Sequence, residues 1–149
     1  MSLRDQLSED LKTAMKAHDD VTRDTVRLIS AAVKNAEIEK GGELDEAGSS
    51  EVLARMAKQY RDSITTFGDA GRTDLVDKET AELDVLLRYL PEQLGEEQIL
   101  PLAKAAVTEV GATGASDRGK VMGKLMPQLR GKADGSLVNK VVGELLESL

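Results

Sequence analysis

The chain lacks cysteine and tryptophan and has a single histidine, His18, among its 149 residues. Without cysteine there is no disulfide, cysteine–zinc site or thiol nucleophile, and one histidine cannot form a two-histidine metal clamp within a chain. Only Tyr60, Phe67 and Tyr89 are aromatic. No apolar run approaches the roughly 20 residues that span a bilayer, and the first residues lack the pattern of a secretory signal peptide. We therefore expect a soluble, cytoplasmic protein without membrane contact, metal or cofactor.

Charge is distributed unevenly along the chain, which carries −7 in total. Residues 1–90 hold 13 lysines and arginines against 19 acidic residues, whereas residues 91–149 hold 7 against 8. Within residues 112–142 six cations stand against two acids, so this stretch is locally +4. All three prolines lie after residue 90. We therefore predict two domains, an acidic N-terminal helical domain at 1–90 and a C-terminal domain at 95–149.

Apolar residues recur every three or four positions along nearly the whole chain, and no stretch alternates as a strand would. Glycines, prolines and capping residues divide this pattern into seven helices, of which the first four are the longer ones. The apolar line of the second helix, for example, is predicted at Thr25, Leu28, Ile29, Ala32, Val33 and Ala36. Because such helices are stable only when their apolar faces pack, the sequence predicts an all-α fold. Its parts are an N-terminal helical unit with long helices and a C-terminal three-helix bundle.

Local residues also predict where several helices begin and end. The third helix is expected to start after a break at 48–50. Gly95 is placed to cap the fifth helix, but Pro101 conflicts with a helix there, because it lacks an N–H and crowds the preceding turn. Either that helix kinks or it begins later. Ser116 is predicted to cap the sixth helix, with Pro127 at its end.

A search for catalytic groups identifies none that can be named. Residues 114–120 match the first part of a phosphate-binding loop, but Val121 replaces the hydroxyl that would hold magnesium, and a helix is predicted where a strand is needed. We interpret this segment as a loop leading into a capped helix. His18 lies near the end of the first helix, where an exposed last-turn histidine is favoured by the helix dipole. An enzymatic activity of the chain itself stays an open alternative.

The predicted sixth helix carries the most informative pattern. Lys120 and Lys124 lie about 40° apart on one edge, at about 100° per residue. Gly119 and Gly123 lie beside them, where the missing side chains let a partner approach the backbone closely. The functional interpretation is a site for a nucleic-acid phosphate backbone.

The loop after this helix adds two cations beside the start of the seventh helix, whose free N–H groups attract anions. The candidate nucleic-acid-binding residues are Gly119, Lys120, Gly123, Lys124, Arg130 and Lys132. The alternative is structural: the glycines pack against a neighbouring helix, Asp134 caps the seventh helix, and the lysines are solvated. On these residues alone the structural alternative is favoured, because glycines at i, i+4 in a helix usually indicate packing and a basic patch alone does not prove nucleic-acid binding. Asp134 would also compete with a phosphate. With no aromatic residue after Tyr89 to stack on bases, any RNA would be held by shape and phosphates.

Several motifs are distinctive, namely LPEQL at 90–94, GKVMGKLMP at 119–127, GKADG at 131–135 and LVN at 137–139, with less specific pieces at 27–38 and 61–63. Together they resemble the YqeY family, and the resemblance covers essentially the full length. The same domain forms the C-terminal tail of the B subunit of the tRNA-dependent amidotransferases (GatB). The departures from the family pattern concern only the start of the fifth helix.

This resemblance implies a two-part all-α fold and a module that contacts tRNA. The chain lacks the amidase motif of the A subunit and the large catalytic part of the B subunit. Glutamine-dependent carbon–nitrogen ligase activity (Glu-tRNA/Asp-tRNA amidotransferase) is therefore an association, and not chemistry that this chain performs. We expect a non-catalytic tRNA-binding or amidotransferase accessory protein, with tRNA and an amidotransferase or other protein as partners and no DNA. The alternative is a protein-interaction module without RNA binding, which would use the Met122/Met126 face or the acidic N-terminal helices.

Overall fold

The computed structural model describes residues 2–149, which form seven α-helices and one 3₁₀ turn. No strand occurs among these described residues. The all-α fold predicted from the apolar periodicity is confirmed. The helices divide into two compact units, Met1–Pro91 and Glu92–Leu149. Across residues 2–149, every helix is too short or too polar to cross a membrane.

The N-terminal unit contains α1 (Leu3–Lys16), α2 (Asp20–Lys40), α3 (Glu46–Asp69) and α4 (Thr73–Leu87). α1 packs on α2, and α4 packs on both α2 and α3. Aliphatic residues from all four helices form the core, namely Leu7, Val26, Ile29, Leu53, Ala57, Leu83, Val85 and Leu86. Just after α4, the Tyr89 hydroxyl donates a hydrogen bond to the Asp10 carboxylate on α1. This contact joins the first and last helices of the unit.

An aspartate cap explains why α3 begins earlier than predicted. The Asp45 carboxylate accepts the N–H of Gly48 at 2.6 Å, which satisfies one of the free donors of the first turn. Gly48 therefore lies inside the helix, whereas we had expected the break at 48–50 to precede it. A capping side chain can thus outweigh the low helix propensity of glycine in a first turn.

The turn between α1 and α2 places His18 outside the helix. α1 ends at Lys16, and His18 has a φ of 55°, the one positive φ among the described non-glycine residues. Asp19 then caps α2, accepting the Thr22 N–H at 3.1 Å. The expected last-turn position of His18 is therefore wrong, since the histidine forms the reversal between the helices.

The C-terminal unit is a bundle of α5 (Glu96–Val110), α6 (Arg118–Leu129) and α7 (Gly135–Glu147), each packed on the other two. The 3₁₀ turn Ala115–Asp117 leads into α6. The fully buried aliphatic side chains of the bundle come from all three helices, namely Ile99, Ala103, Val121, Leu125, Leu129, Val138 and Val142.

Two prolines lie inside helices of this unit. α5 begins at Glu96 and continues through Pro101, so the later start that we considered is wrong. The start is fixed by the Gln98 side chain, which accepts the Gly95 N–H at 2.6 Å. Pro101 is exposed, so the carbonyl that loses its helical donor can face water. Pro127 was expected to end α6, but the helix continues to Leu129, whose side chain is 1% exposed and anchors the last turn in the core.

Candidate nucleic-acid interface

The two predicted lysines of α6 lie on an exposed edge of the C-terminal bundle. The side chains of Lys120 and Lys124 are 72% and 44% exposed. Gly119 and Gly123 are also exposed, and a Cβ added to either would meet no described atom within 4 Å. The structural alternative is therefore wrong for these glycines, because no neighbouring helix packs on them within the described chain. We call these four residues the α6 rim.

The opposite face of α6 determines which way the rim points. Val121 and Leu125 are fully buried in the bundle core. Met122 and Met126 flank them and pack partly buried against the same core. Burial of this apolar face directs the rim to solvent. Core packing also accounts for the methionine pair, which had been considered as a docking face.

Each lysine of the rim has an acidic neighbour at the surface. Lys124 Nζ lies 2.8 Å from Glu109 Oε1 on α5, and Lys120 Nζ lies 3.8 Å from Asp117 Oδ1. Exposed ion pairs of this kind are weak and screened by salt. The lysines are thus partly neutralised but not buried, and they can exchange a carboxylate for a phosphate.

The start of α6 differs from its prediction. Ser116 lies in the 3₁₀ turn and does not cap the helix. Instead, the Asp117 carboxylate accepts the Thr113 N–H at 2.9 Å. This hydrogen bond is the main reason why the pKa of Asp117 lies below its usual value, and the charge of the nearby Lys120 lowers the pKa further. Asp117 therefore stays ionised beside the rim and fixes the preceding loop.

Arg118 is a basic residue of this edge that sequence reasoning missed. Its guanidinium lies directly over Gly143 of α7, where an added Cβ would collide with it. Gly143, on the apolar face in the middle of the seventh helix, was the available signal, because a buried glycine in a helix often marks a close approach. The cation beside Gly119 is thus held against the bundle.

The loop cations Arg130 and Lys132 are exposed but lie at the far end of α6. Arg130 follows Lys120 by ten positions, which at 1.5 Å per residue is about 15 Å along the helix axis. The loop backbone is fixed by two hydrogen bonds from the segment before α5. Gln93 Nε2 donates to the Gly131 carbonyl at 3.1 Å, and the Leu94 N–H donates to the Lys132 carbonyl at 2.8 Å. The six predicted residues therefore follow one helix and its end, and do not converge in one pocket.

The N-terminus of α7 is occupied by its own cap. The Asp134 carboxylate accepts the Ser136 N–H at 3.2 Å, as the structural alternative had it. A carboxylate at this position competes with any phosphate for the same donors. The helix start beside the loop is therefore not part of the candidate interface.

The rim offers groups suited to anion binding. Among residues 2–149, no three histidine, aspartate or glutamate side chains are grouped so that they could hold a metal ion. The single histidine lies between α1 and α2, in the other unit. What the rim does present is ammonium groups beside open backbone, an arrangement typical of contacts to phosphate.

Comparison with known proteins yields one family and a set of curated relatives. The sequence model of the family described as "Yqey-like protein" matches residues 4–146. "Altered inheritance of mitochondria protein 41, mitochondrial" of Pyrenophora tritici-repentis is 33% identical over 144 residues, which is 95% of this chain and 79% of that protein. The protein of the same name from Lachancea thermotolerans is 36% identical over 101 residues, 67% of this chain and 50% of that protein. The chain therefore spans about half the length of this yeast relative.

These relatives contradict one expectation. Their names describe them as mitochondrial, whereas we had expected a cytoplasmic protein, and that prediction is wrong. It rested on the absence of a spanning segment and of a secretory signal pattern, and neither absence distinguishes the cytoplasm from the interior of an organelle.

Proposed function

The chain belongs to the YqeY family, and from this premise we propose that it is a non-catalytic tRNA-binding protein whose α6 rim contacts the phosphate backbone. The observation that carries the proposal is the open space around Gly119 and Gly123. Gly123 lies in the interior of α6, where glycine is destabilising relative to alanine, and Gly119 lies in the first turn of the same helix. Packing within the bundle does not require glycine at either position, and close approach of an external partner gives a reason for it.

The charge at the rim favours an anionic partner. Lys120 and Lys124 are one helical turn apart on the same edge, and Arg118 lies just before them. Arg130 and Lys132 extend the basic line past the end of α6. A line of cations with no aromatic side chain beside it suits a folded, double-helical RNA, which is recognised by shape and backbone. The resemblance of residues 119–135 to the tail of the amidotransferase B subunit supports tRNA as this RNA.

The proposed contacts would make binding depend strongly on salt. Each phosphate neutralised by a lysine releases counterions, so that affinity falls with rising salt. The net charge of −7 opposes loose attachment elsewhere on the chain. Binding should therefore be local to α6 and its following loop.

A titration of fluorescently labelled bulk tRNA at about 50 and about 150 mM salt tests this proposal. We compare the unaltered chain with Lys120→Gln/Lys124→Gln and with the matched control Lys12→Gln/Lys16→Gln, which removes two exposed cations from α1. The rim variant should bind about tenfold or more weakly, and its salt slope should fall by about 1.5, at roughly 0.7–0.9 per lost phosphate contact. The control should keep its slope. Absence of binding at the lower salt, or equal loss in both variants, contradicts the proposal.

A further inference from the structure

Leu28 on α2 is left exposed although the apolar periodicity assigns it to the core. Val26 and Ile29, on the same helix, are fully buried, whereas Leu28 is 50% exposed. The apolar stripe of α2 is therefore wider than the part that α1 and α4 cover. The uncovered part faces a groove between α2, α3 and α4.

This groove has an apolar floor and an acidic wall. Leu28 and Ala32 from α2 and Met56 from α3 form the floor of a cavity of about 380 Å³. Polar side chains from α3 and α4 line the rest, namely Gln59, Tyr60, Ser63, Glu79 and Glu82. Apolar surface next to convergent polar groups is typical of a binding groove.

Neither carboxylate of the wall forms an ion pair within the described part of the chain, because no lysine or arginine nitrogen there lies within 4.0 Å of Glu79 or Glu82. Burial is the main effect that raises the pKa of Glu79, and the like charge of Glu82 raises it further. The cation of Lys78 lowers this pKa by a smaller amount. The Tyr60 hydroxyl lies beside Glu82, and burial followed by this carboxylate raises the pKa of the tyrosine. The groove therefore holds negative charge that the nearby Lys78 offsets only in part.

We propose that this groove is the docking site for a basic amphipathic segment of a protein partner. An arginine of the partner would lie between Glu79 and Glu82, and an aliphatic side chain would cover Leu28 and Met56. Arginine fits because its planar guanidinium offers five donors to the carboxylates and to the nearby Tyr60 oxygen. A lone apolar ligand would leave the two like charges unrelieved, and an RNA would be repelled by them.

A peptide titration tests the proposal. The probe is a fluorescein-labelled 14-residue helical peptide. Its leucines recur at i, i+4 spacing on one face of the helix, and its arginines recur at the same spacing beside them. The matched probe carries citrulline in place of each arginine, which keeps the shape and removes the charge. The arginine peptide should bind at least about tenfold more tightly than the citrulline peptide, as charge-assisted hydrogen bonds do. Equal binding of the two probes overturns the proposal.

Variants localise the effect to the groove. Glu79→Gln/Glu82→Gln relieves a like-charge contact and should fold, and it should reduce arginine-peptide affinity about tenfold, to the citrulline level. The control Glu39→Gln/Glu43→Gln makes the same charge change at the C-terminal end of α2 and in the loop after it, where both residues are exposed, and should leave affinity unchanged. Leu28→Ala should weaken both peptides. Equal loss in the groove and control variants, or full affinity in Leu28→Ala, contradicts docking here. Binding of tRNA should not respond to any groove variant, so failure here is distinct from failure at the α6 rim.

Discussion

The substitution Gly123→Ala, which adds one methyl group, should change the stability of the C-terminal unit and its proposed RNA affinity in opposite directions. Gly123 lies in the interior of α6 and does not adopt a positive φ. A Cβ at this position meets nothing within 4 Å among the described residues. Alanine therefore fits the free protein without any rearrangement.

The effect of Gly123→Ala on stability follows from helix propensity. Glycine in a helix interior is less favourable than alanine by about 1 kcal/mol, so the variant should be more stable by about that amount. For a unit of this size, 1 kcal/mol raises Tm by about 4–8 °C. Calorimetry of the free chain measures this shift.

The effect on RNA binding should have the opposite sign. If phosphates approach the backbone at Gly123, the methyl group overpacks the contact, at a cost of about 1–3 kcal/mol. Affinity for tRNA should then fall at least about fivefold, measured by fluorescence titration at fixed salt. A variant that is more stable and binds tRNA as tightly as the unaltered chain refutes the close approach. A destabilised variant refutes the openness of the site.

Three further substitutions probe the rim and the N-terminal unit. Glu109→Gln removes the partner of Lys124 and should raise tRNA affinity about two- to fivefold at low salt, measured by the same titration; unchanged affinity would show that this lysine does not contact RNA. Thr25→Val removes a buried hydroxyl that has no hydrogen-bond partner in the described structure, and should stabilise the chain by about 1 kcal/mol in urea unfolding; a loss of stability would mean that the hydroxyl is satisfied. His18→Gly relieves the left-handed backbone of the first turn and should add about 0.5–1 kcal/mol, whereas a drop in Tm would contradict that strain.

The helices could be predicted from sequence because their apolar faces repeat with helical spacing, but several boundaries could not. α3 begins earlier than predicted because the Asp45 side chain caps it with a hydrogen bond, and apolar periodicity carries no information about such a cap. Pro101 is tolerated because it is exposed, and Pro127 because Leu129 is buried beyond it. Burial of a particular side chain depends on the neighbouring helices, so these outcomes needed the tertiary structure.

The candidate interface was predictable only in part, for a similar reason. The shared edge of Lys120 and Lys124 follows from helix geometry alone. Their surface partners do not, because Glu109 belongs to α5 and is brought to Lys124 by the packing of two helices. Whether the space beside the two glycines is open also depends on which side chains of other helices lie near them. That space excludes a packing contact within the described chain, which the residues alone had favoured.

The groove on the N-terminal unit also could not be predicted from the sequence. Leu28 has the periodicity of a core residue, and only the arrangement of α2, α3 and α4 leaves it at the edge of a cavity. The sequence shows that the N-terminal half is acidic. It does not show that two of the acids lie beside uncovered aliphatic surface.

The most direct test of the RNA-binding proposal is an amide NMR titration of the ¹⁵N-labelled chain with tRNA at low salt. The account predicts that the amides of Gly119, Lys120, Gly123 and Lys124 shift or broaden first, followed by those of the loop after α6. Amides of the groove between α2, α3 and α4 should stay unchanged. Perturbations that leave the α6 rim untouched, or that spread evenly over the chain, would contradict the account.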